Sequence, residues 1–157
     1  MNKLRYLGYS IVFQEVPDEV SLAINISGCP HKCEGCHSQY LWEHKGEYLL
    51  NDIDKLLSLY DGMITCVCFM GGDQNPHDLI ECFKRAKRKG LKICLYSGVE
   101  DLSTLMHKNI ARYCDYVKTG RYNHLLGGLD NPNTNQIFWK SNNGNFEDIT
   151  ERFKKKV

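Results

Sequence analysis

Three cysteines fall within eight residues, Cys29-Pro-His-Lys-Cys33-Glu-Gly-Cys36, at the end of a run in which Val20, Leu22, Ile24 and Ile26 alternate with Ser21, Ala23, Asn25 and Ser27. The period of two reads as a strand ending at Gly28. A loop this short must curl its sulfurs toward one point, as a compact inorganic centre requires. Three thiolates are one short of a closed tetrahedral set, whereas a cubane iron–sulfur cluster held by three cysteines keeps one iron open to a ligand that is not protein. With His37 the same cysteines also make a Cys3His zinc set. Zinc sites generally join two short paired motifs, and no second Cys-x2-Cys or Cys/His pair follows, so the open-iron cluster is the stronger reading.

The other five cysteines, Cys66, Cys68, Cys82, Cys94 and Cys114, lie in apolar, regularly patterned segments and read as buried thiols rather than a disulfide framework. Cys66 and Cys68 share a strand face with Met70, where packing outweighs a metal or redox role. Lys3 and Arg5 lead into a stretch broken by Gly8, Ser10 and Gln14, which does not read as a secretory signal, and no apolar run is long enough to span a membrane. A reducing cytoplasm is therefore expected. The length, 157 residues, suits one domain over 1–157, and a net charge of +1 gives no field for nucleic acid. The basic cluster Lys154-Lys155-Lys156 reads as a solvated tail.

Periodicity organises the remainder. Tyr6 to Val16 alternates loosely, as a strand or hairpin, and Ser38 to His44 reads as a short helix. A helix is expected from Asn51, capped by Asn51 with Asp54 at the capping-box position, and with Ile53, Leu56, Leu57 and Tyr60 inward. Ile64 to Met70 is a buried strand. A helix follows with Asn75 as cap, Pro76 in the first turn, Leu79, Ile80, Phe83 and Ala86 on its apolar face and Gly90 as stop. Leu91 to Tyr96 is a strand, Leu102 to Ile110 a helix, Asp115 to Thr119 a strand and Gln136 to Lys140 a last strand, with a short helix over Glu147 to Lys155. Strands alternating with helices predict an α/β domain with a mainly parallel, curved sheet. Four or five such units are too few for an eight-stranded barrel of about 250 residues, so a partial, incomplete TIM-like barrel is expected. Ligands of parallel α/β sheets bind at the C-terminal ends of the strands. Cys29 to Cys36, Gly71-Gly72-Asp73, Tyr96-Ser97-Gly98 and Lys118-Thr119-Gly120 all fall there.

The Cys-x3-Cys-x2-Cys loop resembles that of the radical S-adenosylmethionine (SAM) superfamily, in which the open iron binds the amino and carboxylate groups of SAM. Gly71-Gly72-Asp73 is similar to the Gly-Gly-Glu motif of that superfamily, whose backbone receives the methionine amino group. The resemblance implies further SAM contacts at Ser97, toward ribose or carboxylate, although an ordinary turn serine fits that place equally. Gly35 stands where many members carry an aromatic residue, and His37 is placed to stack or to shield the cluster. Gly35, Asp73 and Asn135-Gln136 narrow the likeness to the activating proteins of anaerobic (class III) ribonucleotide reductases, from Val20 to about Lys140. Asn135 is accordingly a further candidate cofactor contact.

That likeness implies a [4Fe-4S] cluster on Cys29, Cys33 and Cys36, with SAM as the second cofactor. An external one-electron donor such as flavodoxin would reduce the cluster, SAM would be cleaved to methionine and a 5′-deoxyadenosyl radical, and a glycine of the large reductase subunit would lose a hydrogen. No side chain is required as a general acid or base. The stretch Leu126 to Asn135, longer than an ordinary connection, is the candidate for partner contact. The rival readings are an activase of another glycyl-radical enzyme, a minimal small-molecule radical SAM enzyme, and a non-catalytic metal-binding module.

Overall fold

The computed structural model describes residues 3–28 and 45–154. Its strands are β1 (Arg5–Val12), β2 (Ser21–Ile26), β3 (Glu47–Tyr48), β4 (Cys66–Met70), β5 (Lys92–Tyr96), β6 (Tyr116–Thr119), β7 (Ile137–Asn142) and β8 (Asn145–Asp148). Between them lie the helices α1 (Leu49–Leu59), α2 (Pro76–Arg88) and α3 (Leu102–His107). The strands form one sheet in the order β3-β1-β2-β4-β5-β6-β7-β8. β2, β4, β5 and β6 are parallel neighbours. β1 and β3 on one flank, and β7 and β8 on the other, run antiparallel.

The expectation of a mainly parallel sheet thus holds only in the middle. A parallel neighbour needs a crossover of about a dozen residues or more. The segment 13–20 between β1 and β2 is too short for one, and β7 turns straight back through Asn143-Gly144. Among the described residues the sheet is open, with no closed barrel.

Alternation divides the middle strands into two faces. Leu22, Ile24 and Ile26, Val67 and Phe69, Ile93 and Leu95, and Val117 join the buried faces of α1 and α2 in the main core. Phe69 meets Phe83 of α2 edge to face, with ring centroids 5.1 Å apart. The opposite face carries Ala23, Cys66, Cys68, Cys94, Tyr116 and Phe138, covered by Val16, Leu129, Ile149 and Phe153 rather than by a helix.

α2 follows its punctuation. The Asn75 side chain accepts from Asp78 N, Pro76 opens the first turn, and Arg85, Lys87 and Arg88 crowd the last. Gly90 at φ +76° lets Leu91 N reach back to Ala86 O. α1 begins at Leu49 rather than Asn51, and no side chain caps it. Leu49 is fully buried and its amide donates to Leu4 O, so packing sets the start and leaves Asn51 as an exposed helical residue.

Three further differences are local. The first strand ends at Val12, after which Val16 tucks under the second face. α3 stops at His107, with Met106 exposed and Ile110 buried ahead of a 3-10 turn over Ala111–Tyr113. The C-terminal helix expected over Glu147 to Lys155 is instead β8 plus a 3-10 turn at Thr150–Phe153. Asn143 (φ +52°) and Gly144 (φ +89°) supply the two positive φ values of a tight hairpin, which pairs β8 with β7. The helix expected over Ser38 to His44 lies outside the described residues.

Candidate cluster and cofactor site

Register places the chemistry. Asn25, Met70, Tyr96 and Lys118 are successive Cα partners across β2, β4, β5 and β6. Immediately beyond that row stand Ile26-Ser27-Gly28, Gly71-Gly72-Asp73, Ser97 and Thr119-Gly120, all on one edge of the sheet. Gly28, the residue before Cys29 in the sequence, thus stands on this edge. Cys29, Cys33, Cys36, Gly35 and His37 themselves lie outside the described residues.

Ser27 fastens the base of that loop. Its hydroxyl, fully buried, donates to Lys45 O and accepts from Lys45 N at 3.2 Å, joining the residues that flank 29–44. Ser27 N donates to Arg5 O, and Gln74 Nε2 donates to Ser27 O at 3.2 Å. The last bond ties the loop base to the residue following Gly71-Gly72-Asp73. Serine at a strand end carries no signal of such a role, and the sequence reading missed it.

Gly71 (φ +103°) and Gly72 (φ +108°) turn the chain out of β4 through values that side-chain-bearing residues rarely adopt. A Cβ on Gly72 would meet Leu79 Cδ1 at 3.1 Å and Ile26 Cγ1 at 3.6 Å; one on Gly71 would meet Ile26 Cβ at 3.6 Å. These glycines therefore serve backbone conformation and packing against the end of β2. Gly71 N donates to Tyr96 O, and Asn75 N donates to Gly72 O, which pins the turn to β5 and to the cap of α2. Asp73 is 6% exposed, and its backbone carbonyl accepts from Lys108 Nζ at 3.3 Å. A carboxylate at a site this buried is best held beside a cation. An ammonium group fits this place.

Ser97 is buried, and its Oγ accepts from Val99 N at 3.2 Å. The turn role is thus real, and the hydroxyl proton is still available to a ligand acceptor. Gly120 (φ +97°) presses its backbone on Asn135 and Gln136, with a Cβ reaching Asn135 O and Gln136 Cα at 3.0 Å. That contact brings Asn135 to the same edge. Its Nδ2 donates to Arg121 O at 3.0 Å, and its Oδ1 is buried without a partner. Asn135 lines a cleft of about 380 Å³ with Glu100, Arg121 and Tyr122.

Lys118 is a second residue the sequence reading did not assign. It is buried, donates from Nζ to Gly120 O at 2.9 Å and lies 5.8 Å from the Tyr96 ring centroid. Its Cα partner on β5 is Tyr96, a pairing that the sequence alone does not show. Together these groups offer a carboxylate for an ammonium, a lysine for a carboxylate, and a hydroxyl and an amide oxygen for hydroxyl or amine groups. That donor set fits SAM.

The second face holds sulfur. Cys68 is the Cα partner of Cys94, and its Sγ lies 3.6 Å from Met70 Sδ. All five described cysteines are free and buried, as their patterning implied. Burial pushes the Cys82 thiol up to about 12 and holds those of Cys66, Cys94 and Cys114 well above the ordinary thiol range. Among the described residues no three His, Cys, Asp or Glu side chains are grouped to hold a metal ion. His77 and His107 stand exposed, and no described helix is long and apolar enough to cross a membrane.

The segment 122–134 has no strand or helix but is internally braced, with Thr134 Oγ1 donating to Gly127 O and Asn131 packed under Gly127. Leu129 anchors it in the second cluster. Leu129 and Asp130 line a cleft of about 520 Å³ with Phe13, Glu15, Tyr96 and Arg152.

Comparison with known proteins agrees with the chemistry of this edge. The chain is similar to the anaerobic ribonucleoside-triphosphate reductase-activating protein of Enterobacteria phage T4, being 28% identical over 132 residues that cover 76% of this chain and 83% of the phage protein. No solved structure matches it. The model of a family described as a 4Fe-4S single cluster domain matches residues 20–147, from the strand that leads into the cysteines to the final hairpin. The chain belongs to that family of 4Fe-4S single cluster domains.

Proposed function

We propose that this protein is a radical SAM activase that places a glycyl radical on the large subunit of an anaerobic ribonucleotide reductase. The carrying observation is the buried Asp73 carboxylate beside the Gly71-Gly72 turn, on the same edge as Gly28, the residue before Cys29 in the sequence. Membership of the 4Fe-4S family and the similarity to the phage activating protein support it.

Cys29, Cys33 and Cys36 hold the [4Fe-4S] cluster, flanked by Gly35 and His37. The cluster with SAM supplies one-electron cleavage of the sulfonium. Asp73 and the Gly71-Gly72 peptide groups receive the SAM ammonium, Lys118 faces its carboxylate, and Ser97 and Asn135 orient the remainder. Orientation and exclusion of water are the protein's contribution. The parallel middle of the sheet, with helices on one face, serves as the partial barrel of this superfamily in a single domain. The cleft between Phe13, Tyr96 and Leu129 admits the glycine-bearing segment of the partner, with 122–134 as its rim. Five free buried thiols suit a reducing cytoplasm, where flavodoxin is the natural class of electron donor.

The test is anaerobic reconstitution followed by reaction with SAM, a reductant and the reductase subunit. The expected result is a glycyl doublet by electron paramagnetic resonance, lost when Cys29, Cys33 or Cys36 is changed to Ser. A SAM-cleaving protein that gives no doublet with the reductase, but gives one with another glycyl-radical enzyme, would reassign the partner. Stoichiometric zinc without iron in anaerobically purified protein would refute the cluster itself.

A further inference from the structure

The cleft of about 520 Å³ on the second face of the sheet carries both aromatic and charged groups. Its floor is aromatic: the Tyr96 ring stands 6.0 Å from that of Phe138, which lies 4.8 Å from Phe153. Leu129 closes one side, and Phe13, 68% exposed, forms an apolar lip. Tyr96 ends β5 immediately before Ser97, so the cleft adjoins the cofactor edge.

The charged residues of the lining are Glu15, Asp130 and Arg152. Arg152 is committed to Asp18, whose two carboxylate oxygens accept from Nη1 and Nη2 at 2.8 and 2.9 Å. Lys154, just beyond the lining, is paired with Glu151 at 3.0 Å. Neither cation therefore offsets Glu15. Glu15 is half-buried and its backbone is fixed from both sides. Its carbonyl accepts from the Tyr96 hydroxyl, and the next residue, Val16, is buried with Ala23, Cys66 and Cys68. The Glu15 carboxylate meets Gln14 N at 3.3 Å, a long contact to its own neighbour. A carboxylate on a fixed backbone, at the wall of an apolar and partly enclosed space, is screened less than one on open surface and selects a cation.

A small ammonium compound would leave the aromatic floor and the Phe13 lip uncovered. A peptide segment with a basic side chain among apolar ones covers both. We propose that Glu15 determines which partner segment this cleft accepts, by pairing with an arginine or lysine carried close to the glycine that receives the radical. The inference deepens the radical-transfer reading and rests on it. The role of Glu15 is selection rather than chemistry, as charge complementarity at an interface generally sets specificity more than affinity.

The test is anaerobic calorimetry of the reconstituted protein with two capped, glycine-centred peptides that differ only in bearing arginine or glutamate beside the glycine. The arginine peptide should bind about tenfold more tightly at low ionic strength, and the difference should shrink as salt is raised to about 1 M. Glu15→Gln should cut the discrimination about threefold to fivefold, the scale of one partly exposed charge pair, and Glu15→Lys should reverse it. With the reductase subunit, Glu15→Gln should raise the KM for that subunit by the same factor at an unchanged maximal rate of glycyl radical formation. Peptides bound equally by the unmutated protein, no binding of either, or full discrimination in Glu15→Gln would overturn the proposal. Discrimination between the peptides without a glycyl doublet on the reductase would uphold it and refute the reductase reading, whereas a doublet formed with unchanged KM in Glu15→Gln would do the reverse.

Discussion

Gly71 and Gly72 share a backbone strain but differ in what surrounds them, and that difference has a measurable size. Both sit near φ +105°, at +103° and +108°, so an alanine at either position is strained by about 1–3 kcal/mol. At Gly71 the new methyl meets Ile26 Cβ at an ordinary 3.6 Å. At Gly72 it meets Leu79 Cδ1 at 3.1 Å, with Leu4 Cδ1 at 3.5 Å behind, and Leu79 is fully buried. Overpacking of that sort costs a further ~1–3 kcal/mol. Gly71→Ala should therefore lose about 1–3 kcal/mol and Gly72→Ala about 2–6 kcal/mol, a large part of the ~5–15 kcal/mol available to a domain. Urea unfolding under anaerobic conditions, followed by circular dichroism with a common slope, measures both. Equal losses, or a larger one at Gly71, would show that Leu79 gives way freely and that packing does not distinguish the two glycines.

Other substitutions probe other parts of the edge. Ser27→Ala removes both side-chain bonds to Lys45, worth about 1–3 kcal/mol, and should speed loss of cluster absorbance to a chelator; an unchanged rate would separate the loop base from cluster retention. Asp73→Asn should weaken SAM binding about tenfold or more in calorimetry at unchanged iron content, whereas equal affinity would remove Asp73 from the ammonium site. The buried thiols have raised folded pKa values, so their stability contribution is complete below the ordinary thiol pKa of 9.0 and is lost above it. The unfolding free energy from urea titrations should fall between about pH 8 and about pH 10, by ~1.4 kcal/mol per thiol for each unit beyond that pKa, and Cys82→Ala should make the fall shallower. An identical slope in that variant would mean that Cys82 ionises freely in the fold.

The α2 region was readable because Asn75, Pro76 and Gly90 punctuate it locally. The same holds for the middle strands, whose alternation separates Leu22, Ile24 and Ile26 from the opposite face. The start of α1 was misplaced because a good capping residue, Asn51, competes with a core residue, Leu49, and burial prevails. The final hairpin was missed although Asn143-Gly144 announces it; the charged residues after it looked helical in isolation. The antiparallel pairing of β1 with β2 and of β8 with β7 follows from connection length, which alternation alone does not weigh. Of the site, Gly71-Gly72-Asp73, Ser97 and Asn135 were legible as strand-end residues. Ser27 was not, since its partner Lys45 is distant in sequence and becomes its neighbour only in the folded chain. Nor was the burial of Lys118, which depends on Tyr96 one strand away.

Transfer of a hydrogen from the reductase glycine separates the activase from every rival reading. The reductase subunit would be made with glycine deuterated at the α-carbon and incubated anaerobically with the reconstituted protein, SAM and a reductant. Mass spectrometry of the 5′-deoxyadenosine formed should show one deuterium per molecule, in step with growth of the glycyl radical signal. 5′-Deoxyadenosine that carries no deuterium, with no radical on the subunit, would contradict the assignment of this glycine-bearing protein as the substrate.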